Sequence, residues 1–430
     1  LEGWIAAGET GWVLPTTTNG RKHMKRILPL LNKALRVGIP AVIVVGATQY
    51  AMEVANDTYL SLVDIILWLM AGIWGLTVLL SGKWREITWP PLFSVLFVAL
   101  TVASAAGAED RMAVAKEVFQ MVEYFVVAFM LFHAWVRNRR DLVMLARIFL
   151  GATSAILLMA LVQYFGSSRE VIAVGATFGN RNVLGGFLSL AVPVAFGLLL
   201  HDSGWKLKTW YAAILAVSCI VLLSGASYLA LLLAFAIVSA LTSKRAFLIF
   251  AIVAVIGSCF VLPRLPRDNG VALYDSISLY NETEPDVSRR YPEWQAACEM
   301  IRENPLMGVG AGNYQRNIGR YYGIIPSPAG KAEPDTQNLY LVMGSSIGLP
   351  GLVCFIGLLL LFAGRAARRY FVAGDAFEKG LSVALLGALI AYMVNSLWSP
   401  LLVRGIGIPL ALVLSLVSLL EKTGTEEVSM

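Results

Sequence analysis

Stretches of about 20 apolar residues separated by short polar segments recur along almost the whole chain, the spacing set by a hydrocarbon core roughly 30 Å thick. They centre near residues 36–53, 59–81, 89–107, 113–135, 143–164, 182–201, 208–223, 225–242, 245–262, 339–363, 380–398 and 403–420, and predict about twelve membrane-spanning helices. The seventh and eighth are parted only by the turn Ser224-Gly-Ala-Ser227. One polar segment, 263–338, is long, and loops of that length are functional or disordered. Its mixture of aromatic, basic, acidic and apolar residues predicts a folded one.

The expected layout is a partly disordered tail over 1–35, nine spans over 36–262, the loop over 263–338 with short helices, three spans over 339–420, and a tail over 421–430. Residues 1–20 lack the basic start, apolar centre and small-residue exit of a signal peptide, and are expected to be a tail or an expression remnant. Within the loop, Pro263, Pro266 and Pro292 are expected to break any continuous helix. After Pro292, Trp294, Ala297, Met300 and Ile301 recur at helical intervals and predict a short amphipathic helix ending before Pro305. The run Gly308-Val-Gly310-Ala-Gly312-Asn313 then reads as a turn back to the membrane; no strand precedes it, which excludes a dinucleotide fingerprint.

Charge adds direction. The cations gather at alternate inter-span segments, among them Arg21 to Lys33, Lys83, Arg85, Arg137 to Arg140, Lys206, Lys208, Lys244, Arg245, Arg365 to Arg369 and Lys422. By the positive-inside rule both termini are cytoplasmic and the long loop is outside. Composition agrees: 57% hydrophobic and 14% charged residues exclude a soluble protein of 430 residues, and the net charge of +6 belongs to these loops, not to nucleic-acid binding. Cys219, Cys259 and Cys354 lie in apolar runs and Cys298 stands alone in the loop, so no disulfide framework is expected. His23, His133 and His201 all fall on the cytoplasmic side, leaving the outer face without a histidine.

Polar groups at membrane depth are costly and are functional candidates by default. Lys116, Gln120 and Glu123 share one face of the fourth span near its outer end, as a ligand contact or as a stripe that pairs internally. Asn180, Arg181 and Asn182 open the sixth span, where a helix N-terminus suits phosphate and an asparagine equally suits a cap. Asp64 and Arg404 are weaker candidates. Arg289 and Arg290 precede Glu293 and Trp294; guanidinium groups suit bidentate phosphate or carboxylate recognition, or a salt bridge to Glu293 or Asp286.

The run Arg290-Tyr-Pro-Glu-Trp294 with Asn304-Pro-Leu-Met-Gly-Val-Gly-Ala-Gly-Asn-Tyr314, then Asn338-Leu-Tyr340-Leu and Gly348-Leu-Pro-Gly351, resembles the outer-loop signature of the O-antigen ligase and O-antigen polymerase superfamily. So do Gly179-Asn-Arg-Asn182 and the placing of one large loop before the tenth span; the likeness runs from roughly residue 90 to 420. It implies an all-α integral membrane protein of about twelve helices with a periplasmic loop between helices 9 and 10, like a C-type glycosyltransferase, in the bacterial inner membrane. It further implies a metal-independent enzyme without cofactor. Such an enzyme takes a glycan from undecaprenyl diphosphate and passes it to a lipid A core hydroxyl or to another lipid-linked glycan, within lipopolysaccharide or other surface polysaccharide biosynthesis and export.

By position, the resemblance makes Arg290 the loop arginine on the donor diphosphate, with Arg181 a second contact. Arg289, Asn180, Asn182, Lys116, Asn338, Tyr340 and Trp294 complete the expected donor and glycan site. Three departures stand out: Gln337 occupies the place of the ligases' histidine, Ser346 that of a glutamate, and Ser224-Gly-Ala-Ser227 lacks the usual Ser-Arg pair. Gln337 cannot accept a proton, so Asp335, with Glu293 in reserve, is the expected base, and direct displacement inverts the anomeric centre. The rival readings are a lipid-linked glycan transporter or flippase, which predicts repeated halves and a midplane charged path, and a non-catalytic scaffold.

Overall fold

A computed structural model describes residues 18–46, 51–55, 58–166, 174–202, 204–261, 285–321, 336–403 and 405–428, with side chains over 27–46, 61–166, 174–202, 204–261, 293–321, 336–403 and 405–422. Its elements in order are α1 (Thr18–Gly46), β1 (Ala51–Ala55), β2 (Thr58–Ser61), α2 (Leu62–Ser81), α3 (Leu92–Ala103), α4 (Arg111–Trp135), α5 (Arg139–Gly166), α6 (Arg181–His201), α7 (Trp205–Val221), α8 (Gly225–Thr242) and α9 (Lys244–Val261). The loop contributes α10 (Pro285–Glu303) and α11 (Tyr314–Ile318), and the chain ends with α12 (Leu339–Val372), α13 (Ala376–Asn395) and α14 (Gly407–Val428).

Among the described residues nine helices are long and apolar enough to cross a membrane: α1, α2, α4, α5, α6, α8, α9, α12 and α13. Shorter or partly polar helices occupy the other three expected positions: Leu92–Ala103, the 17-residue α7, and α14, whose last turns carry Glu421 and Lys422. The protein is an all-α, multi-pass membrane protein. Apart from its helices it has one small antiparallel hairpin, β1 with β2, in which Ala51 faces Ser61.

Three local expectations change. The first span is not 36–53: its helix starts at Thr18 and ends at Gly46, and the apolar residues after it fold into the hairpin. The cationic run from Arg21 to Arg26 is compatible with helix, so the basic tail is a continuation of the span. Pro292 does not begin the loop helix but lies inside α10, seven residues after its start. It forfeits one amide hydrogen bond without ending the helix, since the remaining turns keep theirs.

The helices sort by burial. Nearly every residue of α6 and α13 between their first and last turns is enclosed, and these two pack along one another at the centre with α8 and α12 beside them. Helix α9 is the outermost, presenting Leu248, Ile249, Val253, Val255 and Ile256 outward. At one end of the bundle ion pairs join the helices: Arg36 to Asp141 at 2.9 Å, Arg139 to Asp375 at 2.6 Å and Arg369 to Glu378 at 2.5 Å. Trp135 adds a donor to the Arg36 carbonyl at 3.2 Å. The opposite end carries the hairpin, the α3–α4 corner and the long loop.

Candidate functional site

The loop helix α10 is amphipathic, but its buried face is turned from the expected one: Ala297 and Met300 are buried while Trp294 and Ile301 are half-buried, and Glu293 and Ala296 are buried instead. Ala296, Ala297 and Met300 form a small core of their own with Val309, Tyr314 and Ile318. The described part of the loop, 285–321, is therefore folded as a cap over the bundle.

Two joints hold this cap. The first is a break in α12 at Gly348, whose φ of 80° and ψ of 173° belong to a region that essentially only glycine occupies. A Cβ there would lie 2.4 Å from the Leu306 carbonyl oxygen. Backbone groups released by the break need partners, because water is scarce at that depth. The loop supplies them: Leu349 N–H donates to the Pro305 carbonyl at 2.8 Å, and the Ser345 carbonyl accepts from Val309 N–H at 2.8 Å. Ser345 Oγ also donates to the Ala297 carbonyl at 3.2 Å.

The second joint is the α3–α4 corner. Asn313, 1% exposed, accepts from Asp110 N–H at 2.9 Å through Oδ1 and donates to the Asp110 carbonyl at 3.0 Å through Nδ2. Ala311 N–H donates to Ser104 Oγ at 3.1 Å. Outside this hydrogen-bonded seam, Arg316 pairs with Asp110 at 3.2 Å and Arg320 grips Glu109 with both terminal nitrogens. The guanidinium of Arg320 holds the Glu109 carboxyl below the usual carboxylate range. Backbone N–H groups of Ala113 and Met112, with Arg316 and Lys116, do the same for Asp110. The positive φ of Gly308 and Gly310 permits the approach, since a Cβ on either would lie 2.5 Å or less from the Ser345 carbonyl or the Ala108 side chain.

Most of the expected site residues lie on or beside these joints. Trp294 Nε1 donates to the Thr336 carbonyl at 2.8 Å, which fastens α10 to the residues just before α12. Gln337 follows, half-buried and in the left-handed region at φ 50°. Asn338 caps α12, its Oδ1 accepting from Tyr340 N–H at 3.0 Å and Leu341 N–H at 3.1 Å. Tyr340 O–H donates to the Met393 carbonyl at 2.7 Å and Leu339 N–H to the Ser396 carbonyl at 2.9 Å, so the end of α13 anchors this turn. Glu293 is 1% exposed. Arg289 and Arg290 lie in α10, Arg290 one turn before Trp294, with side chains outside the described residues. Asp335 and Arg404 fall wholly outside them.

Asn180 is the N-cap of α6, its side chain accepting from Asn182 N–H at 2.7 Å, and Arg181 and Asn182 in the first turn are half-buried. Lys116 is half-buried and close enough to Asp110 to help stabilise its charge. Asp64 completes a capping box with Ser61 at the start of α2. Glu123, 1% exposed at the head of a π-helical turn, accepts from Trp68 Nε1 at 2.7 Å.

Asn395 went unremarked in the sequence although it joins α13 to α6 and α8. Fully buried at the end of α13, it donates to Ser189 Oγ of α6 at 3.0 Å and to Ser227 Oγ of α8 at 2.9 Å. The next residue, Ser396, accepts from Leu339. The outer turns of α6, α8 and α12 thus meet at the end of α13. A lone amide closing an apolar span was the available signal.

Residues 210–356, from α7 through the loop and past the break in α12, match the family model described as O-Antigen ligase. The match covers about a third of the chain and supports the O-antigen ligase and polymerase superfamily of membrane glycosyltransferases. No curated protein matches the chain.

Proposed function

With that superfamily as premise, we propose that the protein moves a glycan from undecaprenyl diphosphate to an acceptor sugar hydroxyl at the outer face of the bacterial inner membrane. Its termini are then cytoplasmic and its loop periplasmic. The observation that carries the reading is the Trp294–Thr336 hydrogen bond, which brings the helix of Arg289 and Arg290 to the Gln337-Asn338 turn across 42 residues of sequence. The backbone of Arg290, one turn before Trp294 on α10, is thereby held beside the first turn of α12, whose helix dipole favours an anion. The Asn180-Arg181-Asn182 turn, tied in through Ser189 and Asn395, supplies a second such terminus.

Transfer breaks the bond between the anomeric carbon and the diphosphate oxygen and forms one to the acceptor oxygen. Charge builds on the departing diphosphate, and prearranged guanidinium groups stabilise it without a metal. Arg290 carries this role, with Arg181 as second contact. The acceptor proton passes to Asp335 in preference to Glu293, because Glu293 is 1% exposed and so closed to an acceptor. Gln337, at the site of the expected histidine, donates or accepts a hydrogen bond but takes no proton. Attack opposite the leaving group inverts the anomeric centre. The absent histidine favours a polymerase, or a ligase of another surface polysaccharide, over a lipid A core ligase.

The test is transfer by protein reconstituted in liposomes with a lipid-diphosphate glycan and acceptor. Arg290→Ala is expected to abolish transfer while the protein still inserts; full activity of that variant overturns the assignment. Glycan chain length in the product separates extension, which gives a ladder, from single attachment.

A further inference from the structure

At the end of the bundle away from the loop, a lateral notch of about 530 Å³ opens between α12 and α14, lined by Leu360, Leu361, Gly364, Arg365, Arg368 and Glu421. We propose that it binds the phosphate headgroup of an anionic phospholipid, with one acyl chain lying along α12. This inference does not depend on the glycan-transfer reading.

Charge comes first. Arg365 and Arg368 are three residues apart on one helix face, so the two guanidinium groups repel each other unless an anion lies between them. Other arginines at this end have such an anion: Arg36, Arg139 and Arg369 each hold a carboxylate within 2.9 Å. Arg365 does not. Its Nε is 3.8 Å from Glu421, beyond hydrogen-bond reach, and its guanidinium lies over the Phe362 ring at 5.4 Å. That stacking fixes the group while leaving its edge donors for a ligand. Arg368 is exposed one turn further on. Among the described lining residues, two arginines stand against one glutamate.

Shape decides between a lipid and a free phosphate. Val353 and Leu360, 67% and 56% exposed, stand with Gly364 and Arg368 on a single stripe of α12 at spacings of seven and four residues. A Cβ at Gly364 would meet nothing within 4 Å, so the glycine opens the stripe into a recess directly beneath the arginines. From Leu360 to Arg368 the helix rises about 12 Å, which carries the surface from apolar to cationic over the depth of a headgroup and its first methylenes. A basic recess at a membrane–water boundary with an apolar track below it suits a phosphodiester attached to a chain. Inorganic phosphate would use the arginines and leave the track empty.

The full-length protein, delipidated in neutral detergent, is titrated with phosphatidylglycerol, phosphatidylcholine and inorganic phosphate, with bound lipid counted by native mass spectrometry and thermal stability followed in parallel. Expected are one retained phosphatidylglycerol per chain, preferred over phosphatidylcholine, and an affinity at least ~10-fold lower in Arg365→Gln/Arg368→Gln. Lys206→Gln/Lys208→Gln, which removes two cations elsewhere, is expected to bind as the unaltered protein does. An unaltered affinity in the arginine variant, or an equal loss in the lysine variant, overturns the site in favour of diffuse attraction. Displacement of the lipid by millimolar phosphate overturns the lipid in favour of a free anion. If the glutamine variant does not fold, Arg365→Lys/Arg368→Lys takes its place: weakened binding with lipid-free stability intact supports the bidentate geometry, and unweakened binding refutes it.

Discussion

Replacing Asn313 by alanine tests whether the loop is a docked cap whose position depends on one buried amide. The change removes both long-range hydrogen bonds to Asp110 and a local one to the Ala311 carbonyl at 3.1 Å. Each long-range bond contributes about 1 kcal/mol net. Little is added for orphaned groups: Asp110 is half-exposed, so water reaches its N–H, and its carbonyl keeps the Val114 amide at 3.4 Å. Docking therefore weakens by about 2 kcal/mol, roughly 30-fold in the docked-to-open ratio. Hydrogen exchange in nanodiscs reads this directly. Amides of 309–318, Val309 foremost, are expected to exchange about 30-fold faster, while those of α6 and α13 keep their protection. Asn313→Asp keeps the acceptor for Asp110 N–H, loses the donor and sets a second carboxylate beside Asp110, so it is expected to loosen the cap further at neutral pH. Exchange in the loop altered less than threefold by Asn313→Ala, or raised equally in α13, refutes the idea of a locally docked cap.

The outer ion pairs give a pH dependence: the folded-state pKa values of Glu109 and Asp110 lie below those of the unfolded chain, so their contribution is full above the unfolded values, the carboxylate reference for Glu109 being 4.5. It is lost as pH falls through the lowered folded values; protease sensitivity of the loop is expected to be flat from neutral to mildly acidic pH and to rise only below that range. Gly348→Ala forces a Cβ toward the Leu306 carbonyl in a glycine-only conformation, and is expected to cost at least about 1–3 kcal/mol in thermal stability and to free the loop from α12. A variant as stable as the unaltered protein would show that the break in α12 does not require glycine. Gln337→His introduces a titratable group at a left-handed position that histidine tolerates, and is expected to raise transfer with a new dependence on pH near the imidazole range; rates unchanged at every pH place proton removal elsewhere.

Much of the architecture was legible because lipid imposes a simple rule on sequence: a helix must be about 20 apolar residues long, and its ends show as charge and turn residues. That rule marked most of the helices and set off the polar segment 263–338, and three- and four-residue spacing after Pro292 picked out Ala297 and Met300 of the buried face of α10 but not Ala296. It failed at 51–55 and 58–61, where the expected ends of the first and second spans pair as a hairpin, since hydropathy measures solvent preference and not hydrogen-bond pairing. The resemblance named the motifs Arg290-Tyr-Pro-Glu-Trp294 and Asn338-Leu-Tyr340, but spacing along the chain does not say what each side chain does. Asn338 and Tyr340 proved to be cap and anchor, Asn180 a cap, and Trp294 the latch between the two motifs.

Tertiary structure alone decided the joints. Asn313 meets Asp110 across 203 residues, Asn395 meets Ser189 across 206, and the break at Gly348 is satisfied by amides and carbonyls of the loop. Periodicity records which face of a helix avoids water, and so the chain by itself fixed which surfaces are apolar. Which polar atoms face one another depends on distances between helices, and those exist only after packing has set them.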